Sequence, residues 1–195
     1  MIRSICFPAQ TDLPVELPLT EVTAALRHPD NLVWVDVAGS NDQELLQVLD
    51  GVFQFHPLAI EDCLQNGSNP SKIDDFGGHL FIIVHAVNRQ QAFPYLITDE
   101  LDIFLGQNFL VTCHHKADLS PLDKVRQRLK RDERLVMNGS DFLCHTILDH
   151  MVDEYEPLIE EIEDEVELLE DRILARPNPE TLERLLLLKH GVLSF

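Results

Sequence analysis

Long apolar runs are missing from this sequence. Its most apolar stretches, residues 80–84 and 185–188, fall far short of the roughly 20 residues that a membrane-spanning helix needs. Residues 1–14 carry one arginine and no apolar core, so no secretory leader is visible. Cysteine is scarce and scattered. Cys6, Cys63, Cys113 and Cys144 form no C-x-x-C pair and no framework spacing, which argues against a disulfide scaffold and for buried free thiols in a reducing compartment. Positive charge is in short supply: 15 Lys and Arg face 34 Asp and Glu, a formal charge of -19. Nucleic acid or anionic lipid would approach such a surface against repulsion, whereas cations and basic partners would not. No G-x-G-x-x-G, P-loop, G-x-S-x-G or kinase signature occurs, so no motif nominates a phosphate cradle or a nucleophile. As given, the chain is expected to be soluble and cytoplasmic, without an organic cofactor.

What remains is a globular composition. Of 195 residues, 45% are hydrophobic and 25% charged, enough for one sizeable domain with an appendage. Residues 32–37 are β-branched and bounded by turn residues, which predicts a buried strand. Asn41 is a candidate N-cap for the helix that follows, with Asp42 and Glu44 in its first turn. Pro57 suits a first helical position and opens a short helix to about residue 65, closed by Asn66 and Gly67. Residues 80–87 read as a central strand. Beyond a polar turn at 88–91, residues 95–98, 101–105 and 109–113 continue a meander, with Gly106, Gln107 and Asn108 as a hairpin signal. Strands between helices predict an α/β (α+β) fold: a mixed, partly antiparallel sheet flanked by helices.

Residues 116–135 hold much of the basic charge. Pro121, Leu122, Val125 and Leu129 make this an amphipathic helix whose outer face reads as solvated. From Ser140, an expected N-cap, an apolar stripe of Leu148, Met151, Tyr155, Leu158, Ile162, Val166, Leu169 and Ile173 recurs at helical spacing through a region where about half the residues are acidic. Run through to Ala175, one helix would reach roughly 50 Å, and Pro157 is where a kink or break is expected. A further helix starts near Pro179, and Leu182, Leu185, Leu186 and Leu188 imply an antiparallel helical hairpin leading into a stalk. The expected division is 1–138 for the α/β domain, 139–176 for the acidic helical segment and 177–195 for the start of the stalk.

Three clusters are candidates for chemistry. Glu61 and Asp62 are adjacent carboxylates near a helix end, the kind of pair that anchors a hydrated magnesium ion; as ordinary helix-terminal acids they would need no ligand. His145, Asp149 and Asp153 share one helical face and His150 and Glu154 a neighbouring one, a pattern that suits either a metal or simple side-chain pairing. Cys113, His114 and His115 lie at a strand end, where exposed histidines are the plainer account.

Several blocks in one order carry a more specific signal. They are His-Pro-Leu-Ala-Ile-Glu-Asp-Cys-Leu at 56–64, Lys-Ile-Asp-Asp-Phe at 72–76, Leu-Phe-Ile-Ile-Val at 80–84, Asp-Ile-Phe-Leu-Gly at 102–106 and Asn-Phe-Leu-Val-Thr at 108–112. Leu-Asp-His-Met-Val-Asp-Glu-Tyr at 148–155 and the acidic run at 162–170 follow. Together they resemble the cytoplasmic domain of CorA-type magnesium transporters, ahead of the membrane helices. The resemblance implies a homopentamer with a membrane-embedded pore contributed by C-terminal helices not present here. It also implies regulatory magnesium, weakly bound between neighbouring protomers in the cytoplasmic ring. By resemblance, Glu61, Asp62 and Asp149 are the metal-sensing carboxylates, and the chain is a sensor of magnesium (or cobalt) that does not itself transport and is not an enzyme. Residues 65–72 depart from the shorter Q-R-P-K pattern usual in the family. Zinc exporters share the fold. Two other readings stay open: a stand-alone metal-dependent hydrolase using His145, Asp149 and His150, and an acidic scaffold recruiting a basic partner.

Overall fold

A computed structural model describes residues 1–9, 14–65, 69–88, 96–116, 119–129, 139–175 and 178–193. The strand β3 (Leu32–Ala38) lies in the interior of the sheet, and every one of its residues is buried. Burial on both faces is what a β-branched run without polar alternation demands. Around it lie β1 (Ile2–Phe7), β2 (Val15–Glu16), β4 (Lys72–Asp75), β5 (His79–Val87), β6 (Thr98–Gly106) and β7 (Phe109–His114), in the order β2-β1-β3-β7-β6-β5-β4. The β5 to β7 meander is antiparallel, as expected, with a single strand, β6, over the region forecast as two segments. β3 and β7 run parallel, with Trp34 opposite Leu110, so the sheet is mixed. Three strands had no forecast: β2 and β1 at one edge, where β1 pairs with residues 32–37 of β3, and β4 at the opposite edge, paired with β5.

Seven helices complete the described structure: α1 (Leu19–Leu26), α2 (Asp42–Leu46), α3 (Pro57–Leu64), α4 (Ser120–Leu129), α5 (Ser140–Asp153), α6 (Glu156–Ala175) and α7 (Pro179–Leu193). α2 runs on through a π-helical turn, Gln47–Val52. Asn41 caps α2 as expected, its side chain accepting from the Glu44 amide at 2.9 Å.

Strand periodicity sorts the helices into two layers. Val33, Val35 and Val37 project to one face, where they pack with Val22 of α1, Leu45 of α2 and Ala59, Ile60 and Cys63 of α3. Leu32 and Trp34 project to the other, against Leu122 and Val125 of α4 and Leu143, Ile147 and Met151 of α5. Each large apolar side chain so enclosed contributes about 1.5–3 kcal/mol. The basic helix is therefore fastened to the core by its apolar stripe, and α5 belongs to the same body. Of the basic residues expected here, Lys130, Arg131 and Arg134 lie outside the described residues, as do Asn66 and Gly67, most of the 88–91 turn, Tyr95 and Arg176.

Between Ser140 and Ala175 there are two helices, divided at Glu154 and Tyr155. Pro157 sits in the first turn of α6, where its missing N–H costs no helical bond. Two further details differ from the sequence reading. Gly139, at φ 95, is the cap of α5, a conformation that favours glycine. Ser140 is the first helical residue, and its hydroxyl donates to the Gly106 carbonyl at 2.5 Å, tying α5 to the β6–β7 hairpin. The α6–α7 hairpin forms as expected, with Leu158, Leu169 and Leu188 buried and Arg184 paired to Glu165. Leu182 and Leu186 of the expected ladder face outward, each 56% exposed.

Candidate metal site

The helix carrying the adjacent carboxylates is specified by the residues just before it. His56 is extended, with its Nδ1 accepting from the Leu58 amide at 3.2 Å. Pro57 fills the first helical position, whose N–H has no intrahelical partner anyway. The His56 ring also stacks on Phe76, centroids 4.7 Å apart. Ala59, Ile60 and Cys63 point inward, leaving Glu61 exposed and Asp62 partly so.

Asp62 is held by the next strand. Lys72 Nζ lies 2.6 Å from Asp62 Oδ2 and 2.8 Å from Asp74 Oδ2. Asp62 and then Asp74 raise the Lys72 pKa, stabilising its charged form. Asn69 ties the same end of α3 to the sheet: its Nδ2 donates to the Asp62 carbonyl at 3.0 Å and its amide to Glu100 Oε2 at 3.3 Å. Within the departing 65–72 segment, Asn69 thus joins α3 to β6. Lys72 was missed as a site residue, although its alternation with Asp74 on one face of a four-residue strand is a period-two signal.

Behind α3 lies a second acidic layer that sequence reasoning also missed. Asp102 is 3% exposed and lines a narrow gap with Cys63 and Cys113. Burial pushes its carboxyl up to about 7; the Cys63 thiol pulls the other way, while Glu100 and Asp62 add to the rise. The thiols of Cys63 and Cys113 are themselves raised, Cys63 chiefly by its hydrogen bond with Cys113 and Cys113 chiefly by burial. All four cysteines are free and buried, as expected.

Asp149 lies elsewhere. It is exposed on α5, in the helical layer on the far side of the sheet from α3. Within one chain the structure brings Glu61 and Asp62 together and leaves Asp149 apart. His145 is exposed beside it. His150 Nδ1 is 3.7 Å from Asp153 Oδ2, while Glu154 accepts from Ser120 at 2.7 Å and Lys124 at 2.8 Å. Among the described residues no group of three His, Cys, Asp or Glu is placed to hold a metal ion. His114 differs from its forecast: it is buried, with Nε2 3.2 Å from Asp36 Oδ1, and only His115 of that pair is exposed.

Carboxylates without a preformed cage suit a hard cation that brings its own waters. Magnesium keeps most of its waters and binds through one or two carboxylates. Glu61 and Asp62 on α3, and Asp149 apart from them on α5, offer hard oxygen donors of the type such an ion takes.

A family model described as CorA-like Mg2+ transporter protein matches residues 29–195. The chain belongs to the CorA family. A protein of Bacillus subtilis named as a metal ion transporter, YfjQ, is 40% identical over 138 residues, covering 71% of this chain and 41% of its own length. The cobalt/magnesium transport protein CorA of Thermotoga maritima is 27% identical over 182 residues, covering 92% of this chain and 51% of its own. The chain thus spans about half the length of the curated relatives it matches. Among solved structures, the soluble domain of CorA from Methanocaldococcus jannaschii superposes with a TM-score of 0.74 at 20% identity, covering 99% of this chain and 72% of that one. The ZntB cytoplasmic domain from Vibrio parahaemolyticus gives 0.66 at 13% identity, covering 96% and 72%. The mixed sheet flanked by helices is therefore the fold of the CorA soluble domain. No described helix is long and apolar enough to cross a membrane.

Proposed function

We propose that this chain is the magnesium-sensing cytoplasmic part of a CorA-type divalent-cation transporter, with Glu61 and Asp62 of one protomer and Asp149 of a neighbour binding a hydrated regulatory ion. The observation that carries this reading is the division of the three carboxylates between opposite faces of one sheet. No single ion can bridge them within one chain, whereas two adjacent copies can present α3 against α5. An assembly of identical chains, a pentamer by family resemblance, also gives cover to the outward apolar residues Leu182, Leu186 and Leu193 of α7, which are 56%, 56% and 74% exposed. Magnesium, or cobalt in its place, acts on this part as a regulatory ligand, and passage across the membrane belongs to other segments. No enzymatic step is assigned to these residues.

The ion's effect is modest by nature. At about five times Kd, one site stabilises the bound form by about 1 kcal/mol. The test compares the chain with a Glu61→Ala/Asp62→Ala variant in MgCl2 and in a matched ionic-strength control, reading melting temperature and sedimentation. A magnesium-specific rise that disappears in the variant supports the assignment. Identical responses of both proteins to magnesium and to the control would sink it.

A further inference from the structure

We propose that Lys72 is a built-in competitor for the ion at Asp62, setting the magnesium concentration at which the site fills. The inference rests on the sensing role proposed for Glu61 and Asp62 and adds a residue to it.

The geometry has three parts. First, the Lys72 ammonium occupies a coordination direction of Asp62: it sits 2.6 Å from Oδ2, where an entering cation or its water would have to stand. Second, the same ammonium has an alternative seat already in contact, Asp74 Oδ2 at 2.8 Å. Third, the pair is neither sealed nor free, with side chains 33% exposed at Lys72, 26% at Asp62 and 42% at Asp74. A flexible four-carbon stem can therefore move its charge from one carboxylate to the other without first becoming fully hydrated.

Exchange follows from these contacts. Without magnesium, Lys72 neutralises Asp62 and keeps α3 joined to β4. When a hydrated divalent ion reaches Asp62, like-charge repulsion drives Lys72 onto Asp74, which holds it. Magnesium binding is then an exchange of one cation for another, and its apparent affinity is weaker than the bare carboxylates would give. The Lys72 Nζ also lies over the ring of the buried Phe81, 5.7 Å from its centroid, a cation–π contact that keeps the charge near both carboxylates.

The two partners of Lys72 make opposite predictions. Lys72→Gln removes the competitor and should lower the half-saturating magnesium concentration about tenfold. Asp74→Asn removes the alternative seat, fixes Lys72 on Asp62 and should raise that concentration several-fold. Lys124→Gln, which deletes a positive charge paired to Glu154 in the other helical layer, controls for net charge and should leave it in place. The readout is MgCl2 titration of the 195-residue chain at constant ionic strength, by calorimetry and by thermal shift. An unchanged midpoint in Lys72→Gln, with a normal magnesium response in the parent, overturns the competitor alone. A raised midpoint also overturns it, since Lys72 would then be positioning Asp62. No magnesium response in the parent chain overturns the sensing assignment and this inference together.

Discussion

Asp36 and Arg126, separated by 90 residues in sequence, meet through a 2.6 Å hydrogen bond between β3 and α4. Their side chains are only 4% and 11% exposed. Thr112 donates to the same carboxylate at 2.7 Å, and the Trp34 indole donates to Thr112 at 3.1 Å. Burial alone would raise the Asp36 pKa, but His114, Arg126 and Thr112 together hold it below the ordinary range. Arg126 thus anchors the basic helix by charge as well as by apolar packing. Arg126→Ala leaves a buried carboxylate with less compensation and should cost about 3 kcal/mol in urea unfolding at neutral pH. Because the folded pKa is depressed, this stabilisation is present above the unfolded value near 3.8 and is lost as pH falls through the folded one. The parent and the variant should therefore converge on acidification; a gap that stayed constant down to strongly acid pH would contradict the assignment.

Asp102 has the opposite sign. Its folded pKa of about 7 stands above the unfolded 3.8, so the folded chain binds the extra proton between those values. Stability attributable to this group falls as pH rises through that window, and above it the full penalty is in force. A shift of this size corresponds to at most about 4 kcal/mol. Asp102→Asn keeps the shape and removes the buried charge. It should be more stable than the parent by a few kcal/mol at pH 8 and nearly equal at pH 4, read as the difference between paired denaturation curves. Equal stability at both pH values would mean that Asp102 is ionised at little cost.

His56 combines two local roles, capping α3 through the Leu58 amide and stacking on Phe76. His56→Ala should cost about 1 kcal/mol, the usual size for a lost cap, and should speed amide exchange in the first turn of α3. Since His56 contributes no ligand to the proposed site, the half-saturating magnesium concentration should move less than twofold. A complete loss of magnesium response in a folded His56→Ala protein would show that the histidine does more than position the helix.

Much of this was legible in the sequence for identifiable reasons. Residues 32–37 have a β-branched run that only a doubly covered strand explains. Pro57 and Asn41 punctuate α3 and α2 because the lone N–H groups of a helix start are local chemistry. What could not be read is long-range. Asp36 has no sequence neighbour to neutralise it, and its partners arrive from β7 and α4. His114 looks like an exposed strand-end histidine until β3 pairs with β7. β1 escaped because alternating Ile2, Ser4 and Cys6 give a weak pattern, and its pairing with β3 supplies the missing support. At the candidate site, Glu61 and Asp62 stood out as a motif, whereas Lys72 is defined by the hairpin that brings β4 beside α3. The carboxylates in α6 look alike in sequence; Glu165 alone among them is buried, because Arg184 of α7 faces it.

The helical hairpin should open before the sheet does. In the 20 residues of α6 only Leu158, Glu165 and Leu169 are buried, against six buried positions in the 14-residue α5. Its contacts with the body include polar ones, Tyr155 Oη donating to the His85 carbonyl at 2.8 Å and Glu154 accepting from Ser120 and Lys124, and a close approach of Gly191 to Leu96. Segments with few buried apolar residues open at lower free energy than core strands. Native-state hydrogen exchange should therefore find α6 and α7 exchanging ahead of β3, β5 and β6, with α5 grouped with the strands. Tyr155→Phe removes one donor, at about 1 kcal/mol, and should accelerate exchange about fivefold at the start of α6 while leaving β3 unchanged. If α6 instead exchanged only with the sheet, in one global event, the hairpin would be an integral part of the folding unit, and a ligand acting at α3 or α5 would have to move the whole domain at once.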